Sequence, residues 1–341
     1  MSLLVREPGL QSLLVDFGRE RSRALGVPVG GAADRAALAL GNALVGNAPN
    51  TVALEAAFAG PTVEALHRTA CVLFGAPFQA TVNGTPVAVG TTFTLDPGDV
   101  LRVGGTLTGV RAYLCVAGGF DAPEVHGSRS AIEPLRAGDT LACEASQTEA
   151  RGLAFAWVEE PLPPTPSPKK GGGAREEGAA RVLSAAESPS LLRGGVGEGL
   201  LPLRVLDGPQ RDWFTDDSFF AQEYVVSPAS NRMGLRLKGT PLARRPGELV
   251  SEAVAPGAVQ VANDGLPIVL GVDGQTIGGY PKIAHVIRAD LDRLAQLRPG
   301  DRVQFVRVTS EEAEAAARER AAFLREWLTR LSIAERQPVR G

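Results

Sequence analysis

Pro97-Gly-Asp99, Ala137-Gly-Asp139 and Pro299-Gly-Asp301 each halt the chain in a tight turn and release it into a β-like apolar run. A chain punctuated in this way builds short strands joined by turns rather than long helices. The restriction is general: 40 glycines and 25 prolines stand among 341 residues, well above an ordinary joint usage of about 12%. The length suits about two domains. Because the same turn-then-strand pattern recurs on both sides of the middle, the chain is expected to be mostly β with minor α, as two related β-barrels, since closure removes edge strands.

The division falls at 161–200, which holds 6 Pro, 8 Gly and 4 Ser and no aromatic residue. Such a segment buries too little apolar surface to offset its ordering entropy, so it reads as a flexible linker or insertion. It separates a first β domain (1–160) from a second (201–310), with an amphipathic helix and tail over 311–341. Local signals fill in the frame. Asp34 caps a helix over Ala36 to Val45 that Gly46-Asn47 ends. Val82-Asn-Gly-Thr85 is a hairpin, and Asp290 caps a short helix over 291–297. Thr309-Ser-Glu-Glu312 forms a capping box ahead of Phe323, Leu324, Trp327, Leu328 and Leu331, a core-facing stripe at helical spacing.

Several classes are disfavoured. With 35 basic and 38 acidic residues the net charge is −3, which gives no electrostatic reason to expect nucleic acid or an anionic membrane surface as a partner. The first residues are interrupted by Arg6, Glu7 and Pro8, and no run nears the ~18 apolar residues of a membrane span, so a soluble, cytoplasmic protein is expected. Cys71, Cys115 and Cys143 are far apart in β-like runs and read as buried structural thiols. His67, His126 and His285 lack metal-ligand spacing, so no metal is expected. Lys169-Lys170-Gly-Gly-Gly173 has neither a preceding strand nor a following Gly-Lys-Ser/Thr, and reads as solvated linker. Rossmann, Walker, HExxH and GxSxG patterns are absent, as is a Met-Lys-Met biotin acceptor. ATP or biotin chemistry would have to use an unusual site or come from a partner.

Glycine-rich polar clusters carry the remaining signal. In Asp273-Gly-Gln-Thr-Ile-Gly-Gly-Tyr-Pro-Lys282, Gly278 and Gly279 allow a ligand close to the backbone or a positive φ. Gln275, Thr276, Tyr280 and Lys282 supply an amide, two hydroxyls and a cation, a set suited to a carboxylate or phosphoryl group. A solvated β-turn is the alternative. Asn231 and Arg232 before a glycine could present a fork to an anion. Ser251-Glu252 lies near Gly257-Ala-Val-Gln260 and sets a carboxylate beside a β-run. In the first half, Asp16-Phe-Gly-Arg19 and Gly26-Val-Pro-Val-Gly-Gly-Ala-Ala-Asp34 form a matching polar, Gly-rich stretch. Glu55 interrupts an apolar strand and is either outward-facing or, if buried, paired or functional.

These residues resemble the biotin-dependent carboxyltransferase family, which includes subunits of 5-oxoprolinases. The resemblance rests on Asp16-Phe-Gly-Arg19, Ala53-Leu-Glu55, Gly118-Gly119 with Gly127-Ser-Arg-Ser130, Ser230-Asn-Arg-Met-Gly234, Gln275-Thr-Ile-Gly-Gly-Tyr-Pro-Lys282 and Leu294-Ala-Gln-Leu-Arg-Pro-Gly-Asp301. Val15, Ala33 and Ala262 depart from the usual Gln, Met and Pro. The resemblance implies two linked cyclophilin-like β-barrel domains. It implies a subunit that, with companion subunits A and B and ATP, opens 5-oxo-L-proline to L-glutamate. A biotin-dependent urea carboxyltransferase component and a regulatory module acting on a kinase-inhibitor partner are alternatives. Under this reading Lys282 and Arg232 contact an anion, with Lys282 at the surface. Gln275, Tyr280 and Asn231 orient the substrate, and Glu252 or Asp16 is the acid/base. Thr276, Gly278, Gly279, Ser251, Gln260 and Arg19, with Asn231, make up the substrate- and nucleotide-binding set.

Overall fold

The computed structural model describes residues 2–148, Gly152 and residues 200–336. The expected linker lies, apart from residue 200, outside the described residues. The chain is mostly β, as its turns dictate. In the first half, eleven strands form two antiparallel sheets. One contains β1 (Ser2–Glu7), β4 (Thr62–Ala65), β6 (Ala80–Val82), β7 (Thr85–Val87), β9 (Val100–Val103) and β11 (Thr140–Ala142), in the order β11-β1-β4-β9-β6-β7. The other contains β2 (Gln11–Val15), β3 (Ala53–Ala57), β5 (Thr69–Gly75), β8 (Thr92–Leu95) and β10 (Arg111–Val116), in the order β2-β3-β10-β5-β8. Leu3, Val63 and Leu101 of the first sheet share a core with Leu54, Leu73 and Leu114 of the second. Helix α1 (Arg35–Leu44) packs Leu38 and Leu40 with Val72, Phe74 and Tyr113 of the five-stranded sheet.

The second half closes. Strands β12 (Leu200–Asp207), β13 (Tyr224–Val226), β14 (Gly234–Lys238), β16 (Ala258–Val261), β17 (Pro267–Leu270), β19 (Lys282–Val286) and β20 (Arg302–Arg307) form a barrel. A parallel β12–β20 pairing seals it. Phe219 and Phe305 stack inside at 4.5 Å between ring centroids, with Tyr224 edge-on to Phe305. A two-stranded ribbon, β15 (Glu252–Ala253) with β18 (Ile277–Gly278), stands apart from the barrel sheet. Two short helices, α2 (Ser218–Ala221) and α3 (Leu291–Leu294), precede the long C-terminal α4 (Ser310–Arg336).

The local signals translate directly into structure. All three Gly-Asp turns close alike: the Asp carboxylate accepts from the backbone N–H three residues earlier, at 2.7 Å for Asp96 N and Arg136 N and 2.6 Å for Arg298 N. Each central glycine has positive φ, and β9, β11 or β20 follows. Asp34 caps α1 by accepting from Ala37 N at 2.9 Å. Thr309 and Glu312 form the reciprocal capping box at the start of α4. Asp290 differs from expectation. It precedes α3 but makes no side-chain cap, because Arg204 takes its carboxylate through the backbone N–H and the guanidinium. The apolar stripe of α4 crosses to the first half, where Leu324, Trp327, Leu328 and Leu331 pack against the α1 cluster.

The halves are joined by a buried polar seam. Arg232, between β13 and β14, donates to Glu55 of β3 and to the Gly31 carbonyl at 2.7 Å, while its Nε donates to Asp273 at 2.6 Å. Glu55 also accepts from Tyr113 Oη at 2.8 Å and Ala33 N at 3.0 Å, and Arg111 Nε lies 3.4 Å from its Oε1. Burial pushes the Glu55 carboxyl up, but Arg232 and Arg111 outweigh it and hold it below the usual carboxylate range. Gln296 accepts from Val110 N and Arg111 N, both at 2.9 Å, and donates to Asp34 at 2.8 Å. Asp292 accepts from Arg35 N at 3.0 Å and from Arg320 of α4 at 2.6 Å. The outward-facing alternative for Glu55 is therefore replaced by the paired one. Removing one member of a buried pair leaves an uncompensated charge and costs ~3–5 kcal/mol. Glu55→Ala is expected to lower unfolding free energy by that amount in urea denaturation; a loss below about 1 kcal/mol, the range of exposed pairs, would contradict the pairing.

Asp34 gives a pH dependence of the opposite sign to Glu55. Burial, reinforced by Asp292, pushes its carboxyl up to about 7, against the donors Gln296 and Ala37 and the charge of Arg320. The unfolded value is ~3.9. The folded state therefore holds a proton that the unfolded state releases, and this contribution to stability is lost as pH rises from ~4 to about 7. Urea midpoints of wild type and Asp34→Asn, followed from pH 4.5 to 7.5, are expected to shift progressively in favour of the variant. A constant difference would show that Asp34 does not titrate in this window.

Candidate functional site

Five stretches of the second half meet at one place. The ribbon pairs Glu252 with Gly278, and the β16–β19 ladder pairs Gln260 with Lys282 beside a bulge at Val259/Gln260. Gln275 enters from the segment leading into β18. Gln210 enters from the turn after β12, whose Gly208 N donates to Ile283 O at 2.9 Å. A Cβ at Gly208 would lie 2.2 Å from the Lys282 carbonyl, so only glycine lets the turn approach β19 this closely.

Lys282 Nζ donates to Glu252 Oε1, and Gln210 Nε2 donates to the same oxygen at 2.7 Å. The pair is asymmetric: the Lys282 side chain is 8% exposed and that of Glu252 is 41% exposed. The Lys282 hydrogen bond, with help from Gln210 and against the cost of burial, holds the Glu252 carboxyl below its ordinary range. Lys282 is thus not the surface cation expected from sequence; Gly208, Gln210 and the ribbon cover it. Gln260 is 1% exposed, and its Nε2 has no hydrogen-bond partner among the described residues. An unmet buried donor costs about 1–3 kcal/mol, a strain that an acceptor atom of a ligand would relieve. Gly278 sits against it: a Cβ there would lie 2.5 Å from Gln260 Nε2 and 3.1 Å from Gln275 Nε2. Neither Gly278 nor Gly279 has a positive φ, so glycine is required here for space and not for backbone conformation. The place thus gathers two amide donors, one ammonium and one half-exposed carboxylate, a set for an oxygen-rich acyl or carboxylate group.

The other expected residues distribute differently. Ser251 Oγ lies 3.3 Å from the Cβ position of Gly279, and Tyr280 is 37% exposed at the rim of the cluster. Thr276 is buried, and its carbonyl accepts from Val254 N at 3.0 Å. Asn231 closes its own turn, its Oδ1 accepting from Met233 N at 2.9 Å. Arg232 finds its anions within the chain, as Glu55 and Asp273 of the seam. Asp16 and Arg19 lie in the first half. Asp16 accepts from Ser128 Oγ and Ser130 Oγ, both at 2.6 Å, and from Arg129 N and Gly18 N, both at 2.7 Å. These donors outweigh burial, hold it below the ordinary range and occupy both of its oxygens, which leaves none open to a reactant. Arg19 donates to Val125 O at 3.1 Å and to Ser130 O. Asp16 and Arg19 therefore pin the 125–130 loop. Asp16, Gly118, Gly119, Gly127 and Arg129 line an open cleft of about 680 Å³. A smaller cavity of about 50 Å³ lies in the seam between Ala33, Arg111, Arg232 and Leu270.

Sequence reasoning missed Gln210, Arg111 and Gln296. Gln210 had a local signal, a polar residue directly after Gly208-Pro209, and Gln296 lies within the 294–301 run that carried the resemblance, although neither was singled out. The three thiols are buried and free, as expected, and burial pushes Cys71 and Cys115 well up. No helix among the described residues is long and apolar enough to cross a membrane.

Known proteins resemble this chain in sequence and in fold. The chain is 33% identical to the 5-oxoprolinase C subunit of Escherichia coli over 335 residues, 96% of this chain and 98% of that protein. It is 31% identical to the Haemophilus influenzae protein of the same name, across 92% of this chain and 94% of the relative. The crystal structure of the Kluyveromyces lactis urea amidolyase superposes with a TM-score of 0.78 at 25% identity, covering 96% of this chain but 20% of that one. Residues 25–307 match the family described as carboxyltransferase domain, subdomain A and B. The chain belongs to this carboxyltransferase-domain family.

Proposed function

We propose that the chain is the C subunit of a 5-oxoprolinase, acting with companion subunits A and B in the cytoplasm to open 5-oxo-L-proline to L-glutamate with ATP. The carrying observation is likeness along nearly the whole length of two 5-oxoprolinase C subunits, 98% and 94% of each. The gathered side chains suit the substrate, which carries a carboxylate and a lactam carbonyl. A lactam is unreactive, and ATP, when bound, supplies activation of its carbonyl oxygen. In this reading Gln260 and Gln275 donate to substrate oxygen, and their amides orient it without adding charge. Lys282 stabilises negative charge that develops at the acyl centre. Glu252, half-exposed and held ionised, takes the proton of the attacking water. The handling of ATP is shared with the companion subunits.

A carboxyltransferase acting on a urea-like substrate with carrier-borne biotin is the second reading, favoured by the superposition on urea amidolyase. The two separate in one experiment. The chain is mixed with subunits A and B, ATP and 5-oxoproline, and glutamate is measured. Turnover is expected only from the complete mixture. Turnover by the isolated chain, or none from the complete mixture alongside biotin-dependent carboxylation of urea, would overturn the proposal.

The dyad carries its own prediction. Lys282→Met keeps the buried stem and removes the charge, and Glu252→Gln keeps the shape and removes the base. Each is expected to lower glutamate formation ~10²–10³-fold, the loss of roughly 2.7–4 kcal/mol of transition-state stabilisation. Because Lys282 is buried, Lys282→Ala is also expected to cost about 1–2 kcal/mol of stability. Unchanged turnover in both charge variants would return the pair to a structural role.

A further inference from the structure

We propose that Gln210 is the positioning residue of the Lys282–Glu252 pair, presenting one oxygen of Glu252 to the reactant and keeping the carboxylate charged. The inference rests on the reading of Glu252 as the base. Gln210 is 8% exposed and bonded at both ends of its amide. Its Oε1 accepts from the backbone N–H of Lys282 at 3.0 Å, and its Nε2 donates to Glu252 Oε1 at 2.7 Å. The first bond fixes the amide's orientation, because a backbone N–H only donates and must face the oxygen. The NH2 group is then forced towards Glu252. Glu252 Oε1 therefore receives two donors, Gln210 and Lys282 Nζ, and has no room for a proton of its own. Among the described residues no group bonds Oε2, which is the oxygen free to meet water.

The neighbouring elements add no competing charge. From β19 comes Lys282, the one charged side chain that reaches Glu252 among the described residues. The opposing strand β18 contributes Ile277 and Gly278. Arg211, next to Gln210, turns away to Phe214 O, Asp216 O and Asp217. The clamp is anchored by backbone as well: Gln210 N donates to Lys282 O at 3.2 Å. Gln210 thus ties Lys282 and Glu252, 30 residues apart, to one rigid amide.

The test uses the complex reconstituted with subunits A and B and ATP, with glutamate formation followed against pH. Gln210→Ala is expected to lower kcat roughly tenfold or more while KM for 5-oxoproline stays within about twofold. Losing a donor to the charged form raises the Glu252 pKa, so the acid limb of kcat is expected to move to higher pH. Gln210→Glu, which faces Glu252 with a like charge, is expected to move it further. A second readout needs no turnover: the carboxyl carbon-13 signal of Glu252, identified by its loss in Glu252→Gln, is expected to titrate at higher pH in Gln210→Ala. A uniform loss of kcat with the acid limb and the carbon-13 midpoint unmoved would overturn the proposal. Full activity of Glu252→Gln would instead overturn the reading of Glu252 as the base, which keeps the two failures distinct.

Discussion

The guanidinium of Arg232 is the interaction on which the rest of the architecture depends. It reaches from the barrel into the first half and is held by carboxylates of both, Glu55 and Asp273. A cation this deeply buried is stable only if its desolvation is offset by close charges and satisfied donors, and here its Nη2 is also met by the Gly31 carbonyl. The same demand acts on Glu55, which Tyr113, Ala33 N and Arg111 complete. The consequence is directional. An apolar seam tolerates sliding, whereas a buried network of fixed hydrogen bonds accepts only one arrangement of the two halves. Gln296 repeats the device with a neutral group, bridging Arg111 N, Val110 N and Asp34 across the same seam.

The long C-terminal helix closes the arrangement from outside. Its capping box starts it at Thr309, directly after β20, and its apolar stripe lies on the α1 cluster of the first half. Arg320 joins it to Asp292, which itself accepts from the first helical N–H of α1. Three helices are therefore tied at one point by one carboxylate. The buried acid Asp34 lies within the field of that carboxylate, which helps to raise its titration to about 7.

The candidate site obeys a different logic. The seam holds position by mutual pairing of charges and hydrogen bonds, with Arg111 Nε, 3.4 Å from Glu55, paired by charge alone. The site leaves groups unsatisfied: among the described residues, Gln260 Nε2 is buried without a partner and one oxygen of Glu252 stays open. Incomplete satisfaction of buried polar groups is costly and is retained where a ligand completes it. The glycines follow the same division. Gly30 and Gly31 have positive φ and shape the seam, whereas Gly208 and Gly278 give only space at the site.

What the sequence determined by itself was local and periodic. The three Gly-Asp turns, the Asn83-Gly84 hairpin, the α1 cap and the α4 capping box are legible because each depends on residues within a few positions of one another. The mostly β class follows from them, and the Gly-Gly-Tyr-Pro-Lys282 run marked the right neighbourhood for the site. Tertiary structure alone decided which polar residue serves the fold and which serves a ligand. Asp16 and Glu252 look alike in sequence, yet Asp16 meets four donors from its own half and Glu252 keeps an oxygen free. Arg232 looked like an anion fork, and it is one, for anions 177 and 41 residues away in the same chain. Partners at such separations leave no trace in spacing, because the distance along the chain is set by the closure of sheets and barrel and not by any local period.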